Sequence, residues 1–385
     1  MTSHVFIVDS ITFKYHLEYL FAGTGAKDNY IDFNNRPNSK LPFSTENNLV
    51  LMIADSQRIR KGDLIYFYLQ QNYSQKIFEG KFYGVFRAKN DLSFLDNNDS
   101  NNFLKKELNK PLTFRTLIEP FDVYAKGVTE WEALDEIKNI CSPYQLLWSL
   151  IYRKLKGNRG NTMITIYESE RLYKLLRDKN NICPLSGQSF TFDYNSQEII
   201  NSSNKSKYSG RQIPIDILPR LIQKHNQKKA FESHLQAYIV QNIGRNTVTD
   251  LDNCLLNNYK LDWLGNEVYC GVGMQKIDIL LSLIKNNSSR LIMPIELKST
   301  EVDSTCISQI QRYIDWLIQY YIPNRISDIK PVIISKKIIN KNSCEYKNLI
   351  DSFKFFNSKN TYCLPLQYIE YEILKSSISF QNVVY

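Results

Sequence analysis

Two apolar runs joined by a short polar segment constrain the fold of this chain more than any other feature. They read KIDILLSLI at residues 276–284 and RLIMPIELK at residues 290–298, with KNNSS between them. Runs of this length, bounded by turn-forming residues, predict two neighbouring buried strands. If residues 285–289 form the loop, Asp278 faces Glu296 across the hairpin. A loop with an even number of residues would turn Asp278 to the opposite face of the sheet.

Glu296 and Lys298 lie two residues apart, so their side chains share one face of the second strand. The Glu-x-Lys pattern alone is not diagnostic, and a salt bridge on a sheet face is an alternative for this pair. The same pattern recurs at residues 79–81, 136–138 and 345–347. The residues around the pair must therefore separate a functional site from a structural ion pair.

Two carboxylates beside a lysine suit a hard divalent cation, because Mg²⁺ prefers oxygen ligands and retains several waters. The seven cysteines form no CxxC motif, and the four histidines are scattered along the chain. This argues against a zinc site or a histidine-based metal centre. Lys298 could orient or deprotonate a water and offset charge on a phosphate.

Four motifs occur in order around this hairpin, within residues 228–338. A helical pattern precedes the hairpin and a second one follows it. The elements are Glu232 in AFESHLQAYI, Asp278 in GVGMQKIDILL, the Glu296 and Lys298 pair, and Gln309 with Tyr313 in QIQRY. This ordered set resembles the PD-(D/E)XK nuclease superfamily, including its NucS-like branch. One departure is Ile277, which stands where the superfamily name places proline.

The resemblance implies a set of roles for these residues. Asp278 and Glu296, with the Leu297 carbonyl, would bind Mg²⁺ or Mn²⁺, and Lys298 would act at the attacking water. Glu232 would be an accessory acid that reaches the metal through water. Gln309 and Tyr313 share a helix face, so either an active-site role or packing of that helix accounts for them.

A length of 385 residues favours two domains. The residues before about 205 contain short aromatic and β-branched segments, which predict a β-rich domain: HVFIVDS, NLVLMIA, DLIYFYLQ, KFYGVFRA and FRTLIEPFDVY. Helices are predicted at residues 143–156 and 165–178. After the polar, basic residues 201–227, helices are predicted from KKAFESHLQAYIVQNI and TCISQIQRYIDWLIQYYI, and a further strand from KPVIISKKI. The resulting order helix, strands, helix, strand predicts a mixed sheet flanked by helices. We therefore predict an α+β protein with a domain at 1–200, a basic linker at 201–227 and a domain at 228–385.

Three segments of the amino-terminal half share a further pattern: IRKGDLIYFYLQ, FEGKFYGVFRAK and FRTLIEPFDVYAKGVTEWEAL. They resemble the PUA-like superfamily, which includes EVE, YTH and ASCH domains. This resemblance implies a barrel that accepts a flipped and often modified nucleobase in an aromatic pocket. The candidate pocket residues are Tyr66, Tyr68, Phe86 and Trp131, although each is also a candidate for the barrel core.

A basic segment, RKLKGNRGNT at residues 153–162, is a candidate for phosphate contacts, and a solvated loop is the alternative. Its cationic side chains are Arg153, Lys154, Lys156 and Arg159. The net charge of +9 suits a polyanionic partner. The amino terminus lacks the pattern of a secretory signal, and no apolar run reaches the length of a membrane span. We therefore expect a cytoplasmic location and no membrane partner.

These observations favour a Mg²⁺-dependent DNA endonuclease of restriction type, with an amino-terminal reading domain and a carboxy-terminal cutting domain. Double-stranded DNA is the expected partner, and a homodimer formed on DNA is expected because double-strand cleavage uses two active sites. A NucS-like repair nuclease acting on mismatched or branched DNA is one alternative. A non-catalytic nucleic-acid-binding protein is another, which the presence of Asp278, Glu296 and Lys298 together disfavours.

Overall fold

A computed structural model describes residues 1–27, 29–33, 41–134, 139–147, 159–204, 206–270, 275–286 and 288–385. The chain is α+β and divides into two compact units. The first comprises Met1–Ile31 and Asp55–Ile215, and the second comprises Asp32–Ala54 and Asp216–Tyr385. Residues 32–54, which lie within the predicted amino-terminal domain, thus group with the second unit. The predicted domain limits at 200 and 228 stay predictions.

Helices occur in both units. They are α1 Ser10–Tyr19, α2 Phe43–Gln57, α3 Lys105–Leu108, α4 Glu130–Leu134, α5 Ile166–Lys179, α6 Leu218–Asn226, α7 Glu232–Asn242, α8 Thr249–Leu255, α9 Cys306–Trp316 and α10 Cys344–Lys359. Short 3₁₀ turns occur at Tyr73–Gln75 and Pro143–Gln145, and a π-helical turn at Leu317–Tyr321 extends α9.

The strands are distributed over the whole chain. They are β1 Ser3–Val8, β2 Phe21–Thr24, β3 Leu64–Leu69, β4 Lys81–Ala88, β5 Phe94–Leu95, β6 Phe114–Pro120, β7 Val128–Thr129, β8 Asn161–Ile164, β9 Phe190–Asp193, β10 Glu198–Asn201, β11 Ile213–Pro214, β12 Lys260–Cys270, β13 Gln275–Ile284, β14 Arg290–Leu297, β15 Asp328–Ile329, β16 Val332–Lys336, β17 Gln367–Ile373 and β18 Ile378–Val383.

The first unit is built on a curled, half-barrel sheet with strand order β11-β5-β6-β4-β3-β1-β8. Strands β1 and β3 pair in parallel, and the other neighbours in this order pair antiparallel. Both faces of β3 are buried because its alternate side chains enter two different cores. Ile65 and Phe67 belong to one core, whereas Tyr66 and Tyr68 belong to the other.

Some of the strands and helices predicted for the amino-terminal half are confirmed, and one predicted strand is wrong. The segment NLVLMIA lies inside α2 rather than in a strand, because a short continuous apolar run fits a buried helix as well as a buried strand. The helix predicted at 165–178 is confirmed as α5, where Thr165 and Glu168 form a capping box. In the segment predicted as helix 143–156, Pro143–Gln145 form a 3₁₀ turn, and residues 148–156 lie outside the described residues.

His16 is a buried polar side chain in the first unit. Within the described residues neither of its ring nitrogens has a hydrogen-bond partner. Its ring lies 4.8 Å from that of Phe21 and 5.4 Å from that of Phe67, centroid to centroid. Burial, together with the positive charge of Arg115, lowers the pKa of His16 to about 3. The imidazole is therefore neutral in the folded protein near neutral pH.

The second unit contains a mixed sheet with strand order β12-β13-β14-β16-β17-β18, and β15 also pairs with β14. Strands β12, β13 and β14 form an antiparallel meander, and β14, β16 and β17 run parallel. The predicted strands KIDILLSLI, RLIMPIELK and KPVIISKKI are confirmed as β13, β14 and β16. The helices predicted from KKAFESHLQAYIVQNI and TCISQIQRYIDWLIQYYI are confirmed as α7 and α9.

A buried ion cluster joins three helices of the second unit. Glu46 of α2 accepts hydrogen bonds from Arg220 Nε at 2.6 Å and Arg220 Nη2 at 2.9 Å. Lys224 Nζ lies 3.0 Å from the same carboxylate, and Nε2 of His234 on α7 lies 3.1 Å from it. Burial raises the pKa of Glu46, but the hydrogen bonds from His234, Arg220 and Lys224 outweigh it, so the pKa is well below its usual range. Glu46 is therefore a carboxylate that neutralises buried cations.

The second half of the predicted linker is helical. Residues 218–226 form α6, and the cationic side chains of Arg220 and Lys224 on this helix are buried against Glu46. These two charges therefore stabilise the second unit instead of extending into solvent. Among the described residues, no helix has both the length and the apolar character needed to cross a membrane.

Candidate active site

The hairpin β13–β14 has the predicted register. Ile279 pairs with Ile295 and Ile284 with Arg290, and the N–H of Lys285 donates to the carbonyl of Ser289. Asp278 and Glu296 are the next opposed positions beyond the Ile279 pair. The five-residue loop thus places both carboxylates on the same face of the sheet, as the sequence predicts.

Glu296 is held by two neighbouring side chains. It is only 2% exposed, and its Oε1 accepts a hydrogen bond from Lys298 Nζ at 2.5 Å. The hydroxyl of Tyr313 on α9 lies 2.6 Å from Glu296 Oε2 and 2.8 Å from the carbonyl oxygen of Lys276. Tyr313 therefore reaches the site, whereas the side chain of Gln309 on the same helix is half-buried and makes no hydrogen bond within the described part of the chain. The two residues predicted as a pair thus differ in their contacts.

Asp278 is fixed through both its side chain and its backbone. Its Oδ2 accepts a hydrogen bond from the Leu297 N–H at 2.8 Å, and its carbonyl accepts one from Gln236 Nε2 at 2.6 Å. Burial and the charge of Glu296 raise the pKa of Asp278 well above its ordinary value. Two neighbouring carboxylates repel each other when both are ionised, and a bound cation offsets this repulsion.

Lys298 carries a positive charge in this acidic setting. Burial lowers the pKa of its ammonium group, but the hydrogen bond and charge of Glu296 outweigh that effect. Glu232 and Asp278 add to the rise in the pKa of Lys298. Lys298 is therefore protonated at neutral pH, which suits it to hold a water or a phosphate oxygen rather than to remove a proton.

Glu232 borders the same site from the first turn of α7. Its Oε2 accepts a hydrogen bond from the Ser299 N–H at 3.3 Å. A cleft of about 340 Å³ lies here, and Glu232, Asp278 and Leu297 all line it. The helix, the hairpin and the segment after β14 thus bring the predicted accessory acid to the predicted metal ligands.

Three residues near the cleft were missed by sequence reasoning. Gln236 lies one helical turn after Glu232, and this i,i+4 spacing was a signal that it shares that helix face. Glu267 of β12 also lines the cleft, and Lys276 Nζ lies 2.8 Å from its carboxylate. Glu267 has a φ of 47°, which is uncommon for a non-glycine residue. No sequence motif marks Glu267 or Lys276, because their placement comes from the pairing of β12 with β13.

The donor set fits a hard divalent cation. Asp278 and Glu296 offer carboxylate oxygens, and the Leu297 carbonyl is the third predicted ligand. Among the described residues no group of three or more His, Cys, Asp or Glu is arranged to hold a metal ion. A metal bound here would have the Asp278 and Glu296 carboxylates and the Leu297 carbonyl as its protein ligands, with water completing the shell, as Mg²⁺ prefers.

The predicted base-pocket residues do not share one pocket. Tyr66 is buried with its hydroxyl 3.3 Å from the Ser169 carbonyl, and Tyr68 donates to Glu130 at 2.5 Å. Phe86 lies in the core on the other face of the sheet. Trp131 is 64% exposed on α4 and is the only one of the four available at the surface.

The predicted phosphate-contact segment is described in part. Arg153, Lys154 and Lys156 lie outside the described residues. Arg159 Nε lies 3.2 Å from Asp55 Oδ2, and its side chain is mostly buried. Arg159 therefore forms an internal ion pair in the first unit.

A scan against models of protein families and a search among curated proteins found no match to this chain.

Proposed function

We propose that this protein is a divalent-cation-dependent nuclease of the PD-(D/E)XK type that hydrolyses phosphodiester bonds in DNA. The observation that carries the proposal is the register of β13 and β14, which sets Asp278 and Glu296 side by side with Lys298 bonded to Glu296. A plain surface ion pair would not need a second carboxylate with a raised pKa beside it. The cleft lined by Asp278 and Glu232 gives a substrate access to this centre.

Each residue has a definite task in this proposal. Asp278, Glu296 and the Leu297 carbonyl would hold Mg²⁺ or Mn²⁺, which supplies a bound water of lowered pKa and stabilises charge on the phosphate. The Lys298 ammonium orients the attacking water and offsets negative charge as it develops. Tyr313 fixes the orientation of the Glu296 carboxylate, and Gln236 fixes the backbone of Asp278.

The finer parts of the proposal concern substrate choice. We propose that the first unit reads the DNA and, as a PUA-like domain would, accepts a flipped base. Its curled sheet and the exposed Trp131 support this role. Tyr66, Tyr68 and Phe86 serve the core and do not contribute to a base pocket in this arrangement. Double-strand cleavage through a DNA-bound homodimer, in the cytoplasm, completes the proposal.

The test is a cleavage assay on plasmid and phage DNAs that differ in base modification, with Mg²⁺, Mn²⁺ or EDTA. We expect cleavage with either metal and none with EDTA. Asp278→Asn, Glu296→Gln and Lys298→Met should each lose about 100-fold or more of the activity. Glu372→Gln is the matched control, since Glu372 pairs with Lys337 at an exposed site.

Two outcomes would contradict the proposal. Full activity in EDTA would exclude a metal-dependent mechanism. Activity retained in both Glu296→Gln and Lys298→Met would show that these residues do not form the active site. Cleavage restricted to mismatched or branched DNA would instead favour a NucS-like repair nuclease.

A further inference from the structure

A second cleft of the second unit, about 800 Å³ in volume, lies next to the candidate active site. It is bordered by the segment after α6, by the residues that follow Lys298 and by the end of β16. We name it the lysine cleft after Lys228, Lys229 and Lys336, which line it. Its remaining polar lining includes His225, Ser299 and Thr300.

The charge of the lysine cleft is unbalanced. Within the described part of the chain, none of its three lysines forms an ion pair, whereas Lys337 and Lys341 nearby both pair with glutamates. Of the described residues that line the cleft, Glu301 alone is acidic. Unpaired ammonium groups gathered around a concave surface create a positive potential that attracts an anion.

The cleft is continuous in sequence and lining with the catalytic centre. Ser299 and Ala230 border both clefts. Ser299 directly follows Lys298, and its N–H contacts the Glu232 carboxylate. A ligand in the lysine cleft would therefore lie beside the proposed catalytic residues and the phosphate that they would cleave.

The lining also indicates what kind of contact it makes. Phe231 is buried, and its ring packs edge to face against His225, with centroids 5.7 Å apart. Little aromatic surface is left on which a base could stack. Lysines and hydroxyl groups contact phosphate and sugar, and such contacts position a nucleic acid without reading its sequence.

We infer that the lysine cleft binds the sugar-phosphate backbone of the DNA strand next to the scissile phosphate. A cleft of this volume takes a ligand of the size of a small molecule, and thus a short run of one strand. The inference rests on the proposed nuclease function and adds to it a sequence-independent backbone site. Its role is to position the DNA strand beside Asp278 and Lys298.

Lys228 offers a sharp test of this role. It has a left-handed backbone with a φ of 53°, and its N–H donates to the His225 carbonyl at 2.9 Å. Glycine adopts this conformation without strain, so Lys228→Gly removes the charge at no cost to the backbone. Thermal unfolding of this variant should match or exceed that of the parent protein.

The experiment measures DNA binding by the full-length Asp278→Asn protein, which binds without cutting, over a series of salt concentrations. Two duplexes of unrelated sequence are used. The variants Lys228→Gly, Lys229→Gln and Lys336→Gln are compared singly and together, with Lys337→Gln as the control. The slope of log affinity against log salt concentration is negative. Removing a lysine that contacts a phosphate should make this slope less negative by about 0.9, equally for both duplexes.

The outcomes separate this inference from the proposed function. DNA cleavage by the wild-type protein, combined with unchanged salt dependence in the triple variant, overturns the backbone site and leaves the nuclease in place. A loss confined to one of the two duplexes overturns the sequence-independent role. Absence of DNA binding and of cleavage overturns both.

Discussion

The backbone N–H of Leu297 donates a hydrogen bond to Asp278 Oδ2 at 2.8 Å. This bond crosses from β14 to β13 just beyond the last paired residues of the hairpin, Ile279 and Ile295. It fixes one predicted metal ligand to the residue whose carbonyl is predicted as another. The bond needs only an acceptor oxygen. A substitution that keeps this oxygen but removes the negative charge therefore separates the structural role of Asp278 from its role as a charged ligand.

Asp278→Asn should keep the fold and lose the activity. The asparagine oxygen can accept the same bond, and the substitution removes a carboxylate whose pKa is raised by burial and by the charge of Glu296. Without metal at neutral pH, the free energy of unfolding should be equal to that of wild type or greater by about 1 kcal/mol. Mg²⁺ should raise the melting temperature of the wild type but not of Asp278→Asn. An equal rise in both proteins would argue against Asp278 as a ligand.

Tyr313→Phe should weaken the site without removing it. The change deletes the hydroxyl that lies 2.6 Å from Glu296 Oε2, and a hydrogen bond to a charged group contributes about 1.5–3 kcal/mol. We expect more Mg²⁺ to be needed for half-maximal cleavage, with a smaller change in the rate at saturating metal. Gln309→Ala, one turn away, is the control. A loss of rate that saturating metal does not restore would show a role other than positioning Glu296.

Glu46→Gln should strongly destabilise the second unit. The substitution leaves Arg220 and Lys224 buried without a counter-charge, and breaking a buried ion pair costs about 3–5 kcal/mol. Urea unfolding at neutral pH measures this cost. Glu372→Gln, which breaks an exposed pair, should change stability little. Equal effects of the two substitutions would mean that the buried cluster does not stabilise the unit.

His16→Leu should make stability less sensitive to acid. The pKa of His16 is lowered to about 3 in the folded protein, whereas an unfolded histidine titrates near 6.5. The unfolded state therefore binds the extra proton, and folding stability falls as pH drops from about 6.5 toward 3. Removing His16 should reduce this slope by up to about 1.4 kcal/mol per pH unit. Urea unfolding at pH 7 and pH 5 measures it, and identical slopes in both proteins would contradict the burial argument.

Trp131→Ala should weaken binding to the preferred DNA if this exposed ring stacks on a base. The expected cost is about 1–3 kcal/mol of binding free energy. Stability should hardly change, because the side chain is 64% exposed. Binding of the full-length Asp278→Asn protein, with and without the Trp131 change, measures the effect. Unchanged binding would remove Trp131 from the proposed reading surface.

The hairpin could be predicted from the sequence because its register follows from local features. An odd loop and two apolar runs are enough to place Asp278 opposite Glu296. Tyr313 was predicted from the resemblance of QIQRY to a superfamily motif, but its contact with Glu296 depends on where α9 packs against β14. The alternation of side chains along β3 was visible in the sequence, whereas the burial of both its faces was not. Because that burial could not be predicted, Tyr66 and Tyr68 were predicted as pocket residues although both belong to the core.

Other parts of the site depend on contacts between distant segments. Glu46 and Arg220 are 174 residues apart, and each reads as an ordinary surface charge in its own segment. The run NLVLMIA could not be assigned to helix or strand by periodicity. Glu267 reaches the cleft through strand pairing and a left-handed backbone, and neither leaves a signature in its own residues.

Residues 32–54 have a consequence for dividing this protein. They belong to the second unit although they precede most of the first in the sequence. A fragment that begins at residue 216 would lack Phe43, Asn47 and Leu51, which line the candidate active-site cleft, and would lack Glu46. Such a fragment should fail to fold because it lacks one helix. Joining residues 41–57 to it, or adding them as a separate peptide, should restore folding, so the second unit and the proposed site within it are encoded by two separate stretches of the gene.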